Sequence, residues 1–257
     1  MNDYIMHPIS LEELEEVVFG MPKGKDPGRD GFPVEFFQEF WDIINHDLLE
    51  VVKESYSSKQ MLWALNSTFL TLIPKREGAN QLEFFRPIAL CNVVYKVITK
   101  LIAERIKKWL PIIISEEQGG FVAGRQILDG VVIATEAIHS MATSRERAMF
   151  VKLDMGKVYD RVQWSFLRSI LLSFGFSSDW VSWTMSCVTS TSFSILINGQ
   201  PSQLVGASRG LRQGDPLSPY LFIIMAEGLG RFIKYQVSQN AIQGWQWGNG
   251  LPYLSHL

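Results

Sequence analysis

Between Val93 and Trp109 the apolar positions Val94, Ile98, Leu101, Ile102 and Ile106 recur at three- and four-residue steps, with Lys100, Lys107 and Lys108 on the other side. That period predicts an amphipathic helix with an inward stripe. Near the start of the chain, Leu11, Leu14, Val17 and Val18 form a similar stripe behind Ser10 and Glu13, a capping-box pair. This helix should stop before GKDPGRDGF, where Pro27, Gly28 and Gly31 mark a turn. A second helix is expected from Val34 to about Tyr56, and NSTFLTLIPK reads as a strand ending at Lys75. A looser stretch, REGANQLEFFRPI, leads into the Val93 helix.

Beyond Pro111 the Gly-rich EEQGGFVAGRQ loop precedes a helix to about Met141. Met149, Phe150, Val151 and Leu153 then predict a strand with Asp154 at its end, followed by a helix from about Trp164 to Phe174. SFSILINGQPSQLVGAS reads as a hairpin whose Asn198-Gly199 pair supplies the positive φ of the turn. GLRQGDPLSPYLFIIMAEGLGRF is a loop entering a buried helix, with Asp215-Pro216 or Ser218-Pro219 at its start. Helices mixed with strands, without repeat or linker, predict one α+β body, with two lobes as the alternative.

Composition changes this picture little. The 257 residues, 47% hydrophobic, suffice for a packed core, and the net charge of −2 does not advertise a nucleic-acid binder. Locally the balance differs: between Lys75 and Lys108 eight basic residues face three acidic ones. Cys91 and Cys187 are too few for a disulfide framework, and the four histidines are scattered. No apolar run approaches the ~18 residues of a membrane span, and MNDYIMHPIS lacks a signal-peptide pattern. A soluble chain in a reducing compartment is expected.

Three places hold candidate chemistry. Asp154, at a strand tip, is a suitable ligand for a hard cation such as Mg²⁺, and equally a suitable cap for the next helix. Tyr159 is placed either to pack beneath a sugar or to fill the core, and Asp160 reads as structural, paired with Arg161 or nearby backbone. In RQGDPLSP, Gly214 permits close backbone approach and Gln213 both donates and accepts hydrogen bonds; a tight loop-to-helix turn explains the same residues. Lys75 and Arg86 are phosphate-binding candidates, or members of a solvated basic face.

The ordered series PGRDGF, LTLIPK, FRPIAL, QGGFVAGRQILD, KLDMGKVYDRV and GLRQGDPLSPYLF resembles the reverse transcriptases of LINE-type (non-LTR) retrotransposons, plant ones above all. The resemblance runs from about Lys23 to the last residue. It implies a right-hand polymerase fold: a fingers side over 1–150, with the reverse transcriptase domain proper from about residue 69, and an incomplete palm over 151–257. It implies copying of an RNA template into DNA from a primer and dNTPs, with Mg²⁺, or Mn²⁺ in its place. Asp154 matches a metal-binding catalytic aspartate, and Tyr159 the aromatic that discriminates against a ribose 2′-OH. Lys75 and Arg86 match residues that approach the triphosphate, and Gln213 and Gly214 the loop that shapes the nucleotide pocket. Nuclear residence is the family's expectation.

Two departures stand out. Val158 and Gly156 occupy positions where the family usually has alanine and commonly serine. After a stretch like YLSHL the family continues into a Tyr/Phe-Ala-Asp-Asp hairpin that completes the metal site, whereas this sequence stops at Leu257. The expectation is therefore a chain inactive by itself, or a non-catalytic remnant that binds RNA or RNA–DNA hybrid.

Overall fold

The computed structural model describes residues 1–144, 147–246 and 253–256. Leu257, which closes the YLSHL stretch, lies outside the described residues. The chain is α+β and divides into two compact units, one of residues 1–106 and 157–219, the other of 107–156 and 220–257.

In the first unit, α1 (Asn2–Ile5) precedes α2 (Leu11–Phe19), whose Ser10 cap accepts from the Glu13 N–H at 3.2 Å, as the capping box predicts. The expected single helix after the GKDPGRDGF turn is two, α3 (Val34–Glu39) and α4 (Trp41–Ser58), broken where Phe40 leaves helical geometry at φ −98° and ψ 21°. β1 (Ser67–Pro74) ends within a residue of its expected limit. FRPI, the end of the looser stretch REGANQLEFFRPI, belongs to the strand β2 (Phe85–Leu90), antiparallel to β1. Pro87 is tolerated because β2 is an edge strand, with a neighbour on one side only among the described residues.

Helix α5 (Val93–Lys107) buries far more than a stripe: Tyr95, Val97, Thr99, Ala103 and Arg105 are covered along with the expected positions. Arg105 explains how a cation enters this core. Its guanidinium forks onto Glu13 at 2.6 and 2.7 Å and donates to the carbonyls of Ile5 and His7, tying the first residues to the helix.

α6 (Leu110–Ile113) and α7 (Ile127–Thr143) follow in the second unit. The strand expected over Met149–Leu153 is absent. Residues 147–155 carry no regular structure and their side chains are exposed, Met149 by 81% and Leu153 by 68%. A strand exists only through a neighbour that takes its N–H and C=O groups. Among the described residues none pairs with this stretch.

The first unit resumes with α8 (Val158–Arg161), α9 (Trp164–Ser173) and α10 (Ser178–Thr189). β3 (Ser192–Ile197) runs parallel to β1 and turns through Asn198 (φ 50°) and Gly199 (φ 79°) into β4 (Gln200–Pro201). β5 (Val205–Gly206) pairs back onto β3, so the mixed sheet runs β2-β1-β3-β4 with β5 beside β3. The last helix, α11 (Ser218–Ser238), begins at the second of the two expected starts.

In the second unit, buried Glu227 on α11 accepts from the Ser115 N–H and hydroxyl at 3.0 and 2.7 Å. Arg125 donates to the carbonyls of Ile114, Ser115 and Gln118. The Gly-rich loop is thus pinned by side chains reaching its backbone. Among the described residues, no helix is long and apolar enough to cross a membrane.

Candidate functional site

The loop between β5 and α11 is held by a buried polar network. Arg212, 7% exposed, donates through Nη1 to Asn66 Oδ1 (2.5 Å) and Thr68 Oγ1 (3.3 Å), and through Nη2 to the Cys187 carbonyl (3.0 Å). Its guanidinium lies over the Tyr95 ring, 4.0 Å from the centroid. The Tyr95 hydroxyl donates to Asp215 Oδ2 at 3.2 Å, and that carboxylate also accepts from the Leu217 N–H and the Ser218 hydroxyl. Asp215 thus both balances the buried cation and organises the turn into α11. Burial opposes the charge on Arg212, but the surrounding Tyr95, Cys91, Asp215 and Cys187 hold its pKa above the ordinary value. Burial, reinforced by Asp215, pushes the Cys187 thiol up to about 12, so it is no nucleophile at neutral pH.

Two backbone contacts complete the anchorage. The Ala89 N–H of β2 donates to the Gln213 carbonyl at 2.8 Å. Gly214 sits at φ +111°, where a Cβ would stand 2.7 Å from the Ala89 carbonyl oxygen. Only glycine fits at this approach. Upstream, Leu211 N–H donates to the Tyr159 carbonyl and Gly210 N–H to the Val162 carbonyl, both at 2.8 Å. Trp164 Nε1 closes the ring onto the Gly210 carbonyl, also at 2.8 Å.

Over this loop opens a cavity of about 280 Å³, lined by Leu70, Ala89, Asp160, Trp164, Arg209 and Gln213 among others. Of the residues singled out in the sequence, Gln213, Gly214 and Tyr159 meet around this loop. Tyr159 is half-buried, and burial raises its hydroxyl pKa. Lys75 and Arg86 lie towards the opposite end of the β1–β2 pair. Lys75 is exposed, its Nζ donating to the Glu83 carbonyl at 2.9 Å. Arg86 pairs across from Ile73 and alternates onto the sheet face away from Ala89 and Pro87, which line the cavity. Asp154 belongs to the second unit, exposed on the irregular stretch. Asp160 forms no ion pair with Arg161 and lines the cavity instead.

The profile of the reverse transcriptase (RNA-dependent DNA polymerase) family matches residues 73–243, which span β1's end, the cavity loop and α11. The chain belongs to the reverse transcriptase family. The transposon TX1 uncharacterized 149 kDa protein of Xenopus laevis is 31% identical over 220 residues, 86% of this chain and 17% of that protein. A Pol polyprotein from the type-1 retrotransposable element R2 of Popillia japonica is 24% identical over 216 residues, 84% of this chain and 29% of the relative. An uncharacterized mitochondrial protein of Arabidopsis thaliana matches at 48% over 62 residues, 24% of this chain and 51% of the relative. The chain thus spans a minor part of the two long relatives it matches along most of its length. It is a reverse transcriptase domain of the non-LTR retrotransposon kind.

In this reverse transcriptase domain the mixed helices and small mixed sheet accord with a fingers and palm architecture. Of the two departures, Gly156 is in open space, so the family's serine would fit there without a clash. Arg212, Tyr95 and Asn66 hold the cavity loop, yet none was singled out in the sequence. The available signal was an arginine three residues before Asp215, in a loop leading to a buried helix. The metal expected for the family finds a poor fit. Among the described residues no three His, Cys, Asp or Glu side chains are grouped to hold an ion, and one exposed carboxylate does not bind Mg²⁺ firmly.

Proposed function

We propose that this reverse transcriptase domain carries the nucleotide-pocket loop and the basic fingers-side hairpin of a non-LTR enzyme, and that the 257-residue polypeptide by itself extends no primer. In the family's reaction a primer 3′-OH attacks the α-phosphate of a dNTP, releasing pyrophosphate, with RNA as template. We assign residues up to about 150 to the fingers side and those from 151 to the palm. Gln213 and Gly214 shape the pocket, Tyr159 packs beneath the sugar, and Lys75 and Arg86 meet phosphates. Asp154 is assigned as one ligand of a Mg²⁺ or Mn²⁺ ion.

The observation that carries inactivity is Asp154 itself, exposed on an unpaired stretch with no partner carboxylate among the described residues. Primer extension on an RNA template, with labelled dNTP and either metal, tests it. Incorporation by the purified chain should equal that of the Asp154→Ala variant. Templated incorporation abolished by Asp154→Ala overturns the reading.

A second reading, a non-catalytic binder of RNA or RNA–DNA hybrid, is favoured by the exposed Lys75, Arg76 and Arg86 on one hairpin. It expects affinity that falls steeply with salt, is indifferent to Asp154→Ala, and drops when Lys75 and Arg86 become alanine. No binding at low salt removes it. Nuclear residence would follow from the integration chemistry of the family, and fluorescence imaging of the tagged chain checks it.

A further inference from the structure

Arg212 and Asp215 flank Gln213 and Gly214, the two residues assigned to the pocket. Both charges are buried, yet no ion pair joins them directly. Tyr95 of α5, fully buried, joins them instead. Its ring centroid lies 4.0 Å from the Arg212 guanidinium carbon, and its hydroxyl donates to Asp215 Oδ2 at 3.2 Å. The Cys187 carbonyl stands at 3.4 Å from the same hydroxyl, but there is one proton to give, and the nearer, charged acceptor takes it. One stiff side chain thus spans cation and carboxylate, and neither can shift without losing a buried partner.

The consequence falls on Gln213. Arg212 is fixed on one side of it, and on the other Gly214 is pressed against the Ala89 carbonyl. The Gln213 carbonyl itself accepts from the Ala89 N–H at 2.8 Å, and the residue lines the cavity. With three consecutive residues anchored, its side chain leaves the loop in a set direction. We propose that Tyr95 is a positioning residue of the nucleotide pocket: by holding Arg212 and Asp215 together, it sets how Gln213 meets the incoming nucleotide. The proposal rests on the reading of Gln213 as a pocket residue. Tyr95 is not among the residues lining the cavity, so it touches no ligand there and acts through the loop. It acts before the ligand arrives, because a loop ordered during folding loses little freedom on binding.

Tyr95→Phe is the discriminating change: it keeps the ring over Arg212 and removes only the proton given to Asp215. Two measurements test it, at a temperature where every variant is folded. Amide exchange on the purified chain, followed by NMR, should quicken about tenfold more at Ala89, whose N–H rests on Gln213, than at Leu101 and Ile102 in α5. Equilibrium dialysis of the next complementary dNTP, on an RNA template annealed to a DNA primer, should show about tenfold weaker binding for Tyr95→Phe and for Gln213→Ala. The double variant should bind no more weakly than Gln213→Ala, a coupling that general destabilisation does not produce. A Tyr95→Phe loss that persists undiminished in the Gln213→Ala background overturns the proposal. So does Ala89 exchange that quickens no more than that of the α5 amides. Failure of the natural chain to bind the dNTP removes the pocket reading instead, and the Ala89 exchange then decides by itself whether Tyr95 seats Gln213.

Discussion

The loop at 209–217 and the stretch at 147–156 carry two of the most informative motifs in the chain, RQGDP and KLDMG, yet they are built in opposite ways. In the loop, Arg212 and Asp215 are almost completely buried, and their polar atoms reach Asn66, Thr68, Tyr95, Leu217 and Ser218. In the stretch, Lys152 and Asp154 are exposed and the backbone pairs with nothing among the described residues. A loop with no ladder of its own is thus the better-anchored segment. Order follows from satisfied polar groups in a low-dielectric interior, not from how strongly a segment favours one conformation.

The sharpest way to break this contrast is Asp215→Ala. It leaves Arg212 as a buried cation without its counter-charge, and should lower unfolding free energy by about 3–5 kcal/mol in urea titration. A loss under 1 kcal/mol would mean that the network does not hold the loop. Gly214→Ala comes next. Its positive φ and the clash with the Ala89 carbonyl should cost about 1–3 kcal/mol, and the tryptophan fluorescence around Trp164 should change as the loop shifts.

Cys187 sharpens the same side of the comparison through pH. Its thiol titrates at about 12 in the fold against an ordinary 9.0, so the native state holds a proton that the unfolded state releases. Stability from this group is complete below pH 9 and declines as pH rises towards 12. The urea midpoint should therefore fall with pH in this range more steeply for the natural chain than for Cys187→Ala. Equal slopes would place the thiol in a wetter environment. The smallest effect belongs to the exposed stretch. Val151→Thr in dilute solution should change stability by within about 0.5 kcal/mol, as for other surface sites. A larger loss would show Val151 packed against neighbours.

Legibility followed locality. The α2 cap, the limits of β1 and the Asn198-Gly199 turn depend on residues a few positions apart, and all could be read along the chain. α10 has no counterpart among the elements predicted by periodicity, although Ser177 caps it by accepting from the Trp180 N–H. Its Trp180, Val181, Trp183, Met185 and Val188 are buried on several sides, which blurs a helical stripe. β2 was hidden by Pro87, a poor strand former that an edge strand accommodates. Of the site, Gln213 and Gly214 were legible from turn chemistry, whereas Arg212 was not, since its partners at Asn66, Tyr95 and Cys187 are distant in sequence.

By itself the sequence determined the α+β composition, the starts of α2, α3, α5 and α9, the hairpin turn and, through six ordered motifs, membership of the reverse transcriptase family. Capping, side-chain period and turn φ are set within a few residues, so they survive translation into one dimension. Only the tertiary structure decided that Arg212 is a buried strut, that Arg86 faces away from the cavity, and that Met149–Leu153 is not a strand. Burial and strand pairing depend on which distant groups arrive beside a residue. For Asp154, among the described residues, none has.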